Sequence, residues 1–350
     1  MLNLLLGYFS YDLGIDLGSS NIYITQKDKG IVVNQPCVAS IVKKNKQLIA
    51  VGDKAKEMLG KSPDTIEVIY PIKNGVISDL DTAEKILQHY IKELHKTSKE
   101  SSPKIPRPKV VISIPYGTTE VERRAVVKIA KNAGCRQINL VESPFATALG
   151  LGLNVMSSKG NLVVNIGGGT TEIAIISLGG IVVGKSLKIA GINMDEAIVS
   201  YVKNRFSVLI GASSAENVKM RVADFNLKSE RTNSESITCR GRNIKTGLPQ
   251  VITLSKLDVE AALGELIDQI NEAIKVVVEE TPPDLVSDII ESGIYLVGGV
   301  SKIRGLSSVI SLETKIKVNL PKDSEIITAK GCEILLNDTE LLKTIEKKVN

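Results

Sequence analysis

Two short stretches of this sequence hold residues suited to gripping an anion. The first is Asp16-Leu17-Gly18-Ser19-Ser20-Asn21; the second is Asn165-Ile166-Gly167-Gly168-Gly169-Thr170-Thr171. Each follows an apolar run that reads as a buried strand, ends that strand on a polar residue, and turns through glycines and hydroxyl residues. Such a turn exposes successive backbone N–H groups: glycine allows close approach, and Ser or Thr adds hydroxyl donors. The resulting concavity suits phosphate above other anions. An ordinary β-hairpin also favours Gly and Asn, so either turn alone is ambiguous. The repeat favours phosphate. Gly167 follows Gly18 by 149 residues, about one domain, and two facing turns would clamp a polyphosphate from both sides. A duplicated βαβ-type domain with its ligand between the halves is the simplest account. Asp16, at a strand end, suits Mg²⁺ held through water, because Mg²⁺ keeps most of its hydration shell. A third glycine turn, Val297-Gly298-Gly299-Val300-Ser301, would let a nucleoside lie against backbone. No GxxxxGK[ST] or GxSxG string is present, which excludes a P-loop enzyme and a nucleophile-elbow hydrolase.

The elements that must position these turns alternate short strands with long helices, which argues an α/β class. Residues 11–26 read as strand, turn, strand, and 31–60 as short strands with a short helix, a small insertion. Asp81 with Glu84 predicts a capping box opening a helix to about Lys96, and Thr119 with Glu122 another. The second of these helices is expected to bury Val121, Ala125, Ile129 and Ala133 and to stop at Gly134. A helix from about Met194 to Ile210 is expected to bury Ile198, Val202, Phe206 and Leu209. The clearest helix, over 258–280, has the stripe Val259, Leu263, Leu266, Ile270, Ile274 and Val277 and is stopped by Pro282-Pro283.

Composition narrows the class. A chain of 350 residues exceeds the roughly 250–300 residues at which a single core stops growing, so two domains or a deeply cleft body is expected. Aromatics are 3% and Trp is absent, which argues against stacking on single-stranded nucleic acid, and two His leave little for a His-rich metal site. The net charge of +5 permits an anionic partner without demanding one. The four cysteines, Cys37, Cys135, Cys239 and Cys332, are widely spaced with no CxxC. They read as reduced, buried thiols of a cytoplasmic protein. The apolar start MLNLLLGYFS precedes a first lysine only at Lys27. That order does not fit a secretory signal, which needs a basic start.

The strings GIDLGSSN, IVVNQPCVASI, VGDKAKEMLGKSP, YPIKNGVISDLD, ISIPYGTTEVERRAV, VVNIGGGTTEIAIISLG, MDEAIVSYV and LVGGVSKIRGL resemble the MreB family of bacterial actins, collinearly from about residue 8 to 335. The resemblance implies the fold of actin, sugar kinases and chaperone ATPases: an α/β fold of two duplicated domains, four subdomains in all, around a nucleotide cleft. On that reading, residues 1–33, 67–150 and 318–350 form large subdomain IA and 34–66 its small subdomain IB. Residues 151–187 and 246–317 form large subdomain IIA, and 188–245 its small subdomain IIB. The implied activity is ATP-dependent polymerisation into antiparallel double protofilaments on the inner membrane surface, where they organise cell shape. The implied partners are further copies of the chain, paralogues and that membrane surface; nucleic acid is not among them. ATP with Mg²⁺ is the implied cofactor, with GTP left open.

Carried over residue by residue, Gly18, Ser19, Ser20 and Asn21 match the family's first phosphate turn, and Gly167, Gly168, Gly169 and Thr170 its second. Glu216-Asn217-Val218-Lys219 match its E-x-x-K segment, where the acid meets the ribose and the Lys lies by the base. On spacing alone, Glu216 and Lys219 are an i, i+3 ion pair on a helix. Val297, Gly298, Gly299 and Val300 match the adenosine-side turn, with Val300 in place of a family Gly. The departures concern water. The family Glu before the Pro of E-E-P is Ser143 here, and the family Asp that opens the second turn is Asn165. Ser143, Asn165 and Thr170 therefore form a degenerate water-positioning shell, and slow or negligible hydrolysis is expected. Glu142 and Glu172 are the acids placed to compensate. Ile192 also replaces a family Asp, without a functional account.

Leu2, Leu5, Leu6 and Phe9 would share one face of a short N-terminal helix, either membrane-touching or packed on its own domain. The loop 96–109 is basic and lacks the family's hydrophobic membrane-touching dipeptide. Competing readings are a kinase of the same superfamily, a chaperone ATPase, and a pseudo-ATPase that modulates or caps filaments of an active paralogue. The first lacks a catalytic Asp after the phosphate turns, and the second lacks room for a substrate-binding domain.

Overall fold

The computed structural model describes residues 10–96, 107–226, 236–338 and 340–344. The N-terminal face, most of the basic loop 96–109 and the end of the C-terminal tail lie outside them. Among the described residues, no helix is long and apolar enough to cross a membrane. All four cysteines are buried and unpaired.

Two five-stranded sheets share one topology. The first runs Gly30–Pro36, Asn21–Gln26, Leu13–Leu17, Lys109–Ile114, Gln137–Glu142; the second runs Gly180–Leu187, Thr171–Ser177, Asn161–Ile166, Ile294–Val297, Val318–Asn319. In each, three strands form an antiparallel meander, one strand joins its first strand in parallel, and a fifth joins that one in parallel, after helical crossovers. The duplication expected from the two turns is thus a duplication of whole sheets. The parallel strand Lys109–Ile114 is buried along its whole length, as a strand covered by helices on both faces should be.

Each half carries a small inserted sheet. Leu48–Val51, Ala39–Val42 and Ile66–Ile69 form one; Val208–Leu209, Ser236–Asn243 and Pro249–Ser255 form the other. Their last strands, ending at Ile69 and Ser255, pair with Ala39–Val42 and with Ser236–Asn243.

The helices differ from their sequence readings in instructive ways. Helix Leu80–Lys96 is capped by Asp79, whose Oδ1 accepts the Thr82 N–H at 2.9 Å, and not by Asp81. Glu84 lies inside the first turns and bonds Gln88 and Asn132 instead. The capping box of Thr119 and Glu122 is present on helix Glu120–Asn132. That helix buries Val126, Ile129 and Ala130, while Val121, on its first turn, is 77% exposed. Helix Gly191–Phe206 begins earlier than expected and stops where Ser207 adopts left-handed backbone, which places Leu209 in a strand. Helix Lys256–Glu279 opens on a Ser255–Asp258 capping box, and Ile267 takes the buried place expected of Leu266.

One core cluster joins the halves. Val111 and Val141 of the first sheet meet Val163, Ala174 and Val297 of the second through helices Ser143–Gly150 and Ile327–Asn337. These two helices cross in backbone contact. A Cβ on Gly331 would collide with the Ala146 carbonyl, and one on Gly150 with the Ile327 carbonyl. Gly264, on Lys256–Glu279, has open space where its Cβ would stand. Gly331→Ala is therefore expected to destabilise by about 1–3 kcal/mol through overpacking. Gly264→Ala, equally helical, should stabilise by about 0.5–1 kcal/mol. Thermal unfolding of the pair checks this, and equal shifts in Tm would refute the close crossing.

Candidate functional site

A cavity of about 300 Å³ opens between the two halves, near the lower end for small-molecule sites, which run from about 300 to 1,000 Å³. Its floor is built by the two turns. In the first, the Gly18 N–H donates to the Asn21 carbonyl at 3.0 Å; in the second, the Gly167 N–H donates to the Thr170 carbonyl at 3.0 Å. Hairpins of equal length therefore close both. They face each other closely: a Cβ on Gly168 would strike the Ser20 side chain, and one on Gly169 the Ser19 side chain. Glycine at 168 and 169 is what lets the turns meet.

A third loop, missed in the sequence reading, joins them. Asn74-Gly75 has positive φ at both residues, between Ile72–Lys73 and Val76–Ile77. The Gly75 N–H donates to Ser19 Oγ at 3.1 Å. The signal was legible, since Asn-Gly between apolar residues is the favoured two-residue hairpin.

Asp16 lines the cavity, and its Oδ1 accepts from Ser113 Oγ at 2.6 Å. Burial pushes the Asp16 carboxyl above the usual carboxylate range, and the Ser113 hydroxyl opposes that rise. A buried acid in this environment favours a cation beside it. One carboxylate with water and phosphate oxygens is a normal Mg²⁺ donor set, so the residues present fit that ion. No larger acidic or His/Cys metal cluster exists among the described residues.

The two departures from the family pattern touch each other. Asn165 Nδ2 donates to Ser143 Oγ at 3.3 Å, and both side chains line the cavity. Glu172 Oε1 accepts the Tyr116 N–H at 3.0 Å. Of the two acids placed to compensate, Glu172 lines the cavity and Glu142 does not; Glu142 faces Arg123 at 3.5 Å. Thr170 lines the wall beside Gly75.

Gly298, Gly299 and Val300 form the opposite wall. Gly298 has φ 90°, and a Cβ there would strike the Ile166 carbonyl and the Asn165 side chain, so this turn requires glycine. Val300 buries its side chain in a short 3₁₀ turn. Val297 and Val218 are fully buried in core clusters and Asn217 is exposed. Those three side chains do not reach the cavity wall.

Glu216 and Lys219 both line the cavity but do not pair with each other. Lys219 Nζ donates to the Gly191 carbonyl at 2.7 Å and sits 2.8 Å from Asp195, which also lines the wall. Burial raises the Asp195 carboxyl to about 6 against the pull of Lys219. Glu216 reaches across the cleft mouth to Lys56 Nζ at 2.7 and 2.9 Å. Lys56 ends the helix Asp53–Lys56 of the first insertion, so this pair links the two insertions.

Comparison with known proteins agrees with this geometry. The family model described as MreB/Mbl protein matches residues 10–344. The cell shape-determining protein MreB of Escherichia coli (strain K12) is 42% identical over 335 residues, 95% of this chain and 94% of that protein. MreB5 of Spiroplasma citri bound to ADP superposes with a TM-score of 0.87 at 30% identity, covering 96% of this chain and 98% of that one. The same protein bound to AMPPNP gives the same score and identity. A MamK double helical filament, 23% identical, shares the fold with a TM-score of 0.78 over 94% and 99% of the two chains.

The Lys56–Glu216 pair is partly exposed, and such pairs contribute about 0.2–1 kcal/mol. Lys56→Ala is thus expected to speed release of a fluorescent nucleotide from the cleft by up to about fivefold. Unchanged release in stopped flow would show that the pair does not restrain the cleft.

Proposed function

Because this chain belongs to the MreB/Mbl family, we propose that it is an actin-like cytoskeletal protein that binds ATP with Mg²⁺ between its two halves, assembles into filaments that govern cell shape, and hydrolyses its nucleotide slowly. The observation that supports nucleotide binding is the facing pair of hairpin turns, closed by matching hydrogen bonds and interlocked at Gly168 and Gly169. Backbone N–H groups on two sides, Asp16 beneath them and the glycine wall of Gly298 and Gly299 supply places for polyphosphate, Mg²⁺ and nucleoside.

Slow hydrolysis follows from the Asn165–Ser143 contact. In the family pattern both positions carry acids. Here an amide and a hydroxyl bond to each other, and neither is a base near neutral pH. A general base or water-orienting acid contributes typically about 10²–10⁴-fold, so its replacement weakens the chemical step without removing the binding turns. Self-association into antiparallel double protofilaments, co-assembly with paralogues and a cytoplasmic site on the inner membrane surface complete the reading.

The test measures phosphate release under excess ATP and Mg²⁺ beside pelleting of the same sample. Wild type should pellet and release little phosphate. Ser143→Glu with Asn165→Asp should release about tenfold more or better, and more than the two single variants predict independently, because the positions touch. Wild-type release as fast as the double variant would refute the weakened step. ATP binding without pelleting would favour a regulator of another filament.

A further inference from the structure

We propose that Ser301 and Ser324 are positioning residues for the nucleoside end of the cleft: their hydroxyls clamp the Gly298 carbonyl and so tie the glycine wall to the segment by which the chain returns to its first half. The inference rests on the nucleotide-binding reading above and deepens it.

The return segment runs from Val318–Asn319, on the second sheet, through a 3₁₀ turn at Ser324–Ile326 into helix Ile327–Asn337. That helix packs on the first sheet, where Cys332 Sγ meets the Ile15 carbonyl. Two consecutive residues of the return turn meet two consecutive residues of the 3₁₀ turn Gly299–Lys302. Ser324 meets Ser301, with 2.8 Å between their hydroxyl oxygens, and Glu325 pairs with Lys302. Lys302 and Glu325 line the cavity. Ser301 and Ser324 lie behind its wall, 1% and 3% exposed.

Gly298 is the residue they hold. Its N–H donates to the Ser324 carbonyl at 3.0 Å. Its carbonyl accepts from Ser301 Oγ at 2.6 Å, and Ser324 Oγ lies 3.3 Å from the same oxygen. A carbonyl only accepts, and each serine has one hydroxyl proton to give. The shortest contact takes the Ser301 proton, and Ser324 gives its own to Ser301 Oγ, a relay in which each bond polarises the next. Towards the second turn Gly298 has no slack, since a Cβ there would strike the Ile166 carbonyl and the Asn165 side chain. The two turns offered to phosphate close on their own bonds, Gly18 to Asn21 and Gly167 to Thr170. The clamp therefore acts on the nucleoside wall and leaves those turns alone. It is also redundant. Without Ser301, the Ser324 hydroxyl is placed to donate to the Gly298 carbonyl directly; without Ser324, the Ser301 bond remains. Only loss of both strips that buried carbonyl of a hydroxyl donor.

Displacement of a fluorescent nucleotide from the full chain by ATP, ADP and AMP, with Mg²⁺ present, is measured for wild type, Ser301→Ala, Ser324→Ala and the double variant. The number of binding sites and Tm are followed alongside. Each single variant should bind within about threefold of wild type, and the double variant about tenfold more weakly, beyond the product of the two single losses. The loss should be the same for all three nucleotides, with the number of sites unchanged. Wild-type affinity in the double variant overturns the proposal, and so does a loss no larger than that product. A loss that grows with the number of phosphates overturns it by placing the fault at the other turns. Fewer sites at unchanged affinity overturns it by reducing the serines to a structural role. Should the double variant fail to fold, hydrogen exchange of backbone 298–302 decides: both single variants should exchange about threefold faster than wild type, and unchanged exchange in either overturns the proposal. Failure of wild type to bind any of the three nucleotides would sink the functional reading, and the clamp with it.

Discussion

The crossing of helices Ser143–Gly150 and Ile327–Asn337 sets the distance between the halves. Each helix offers a glycine to the other's backbone carbonyls, and around them gathers the core cluster shared by both sheets. With side chains at those two positions the helices would stand apart, and the sheets with them. The two glycine turns, each at the end of a central strand, would then no longer interlock. The approach that lets Gly168 and Gly169 pack on Ser20 and Ser19 is therefore inherited from a contact elsewhere in the fold. Close backbone approach costs side-chain burial at two helical positions and is offset by the apolar cluster that surrounds them.

The same crossing places Ser143, at the start of one helix, against Asn165 of the second sheet, with Glu172 of the next strand bonded to the Tyr116 N–H. Residues distant in sequence become one polar chain, in a region where burial raises both Asp16 and Glu172. Two further acids at 143 and 165 would add like charge to an already acidic, desolvated wall, which a bound cation must then balance. An amide and a hydroxyl relieve that repulsion. On the proposed reading the two roles are separable: the backbone N–H groups offered to phosphate are untouched by substitution at 143 or 165, whereas the groups offered to water are side chains.

At the other end of the cavity, charge is organised across the cleft and not along a helix. Glu216 and Lys219, one turn apart, diverge to Lys56 and to Asp195 with the Gly191 carbonyl. Neighbouring elements supply better-buried partners, and a solvated i, i+3 pair is worth only a few tenths of a kcal/mol. The mouth is consequently spanned by a bond between the two insertions.

The sequence by itself determined the duplication, the α/β class, the two facing glycine-hydroxyl turns and the residue types at 143 and 165. Those features are written in local composition: glycine and hydroxyl residues where backbone must be approached, apolar runs where strands are buried, Ser143 and Asn165 where acids are expected. It also carried the Asn74-Gly75 hairpin, whose signal is local though its contact with Ser19 is not. Tertiary structure alone decided which partner each polar group takes. Asp79 caps a helix that Asp81 also suited, because the chain turns one residue pair earlier. Val121 is exposed despite its place in the apolar period, while Val126, Ile129 and Ala130 of the same helix are buried. Glu142 pairs with Arg123, whereas Glu172 takes the Tyr116 N–H across the cleft. Side-chain pairing is set by distances between elements brought together from far along the chain, and a pattern of residue types does not encode those distances.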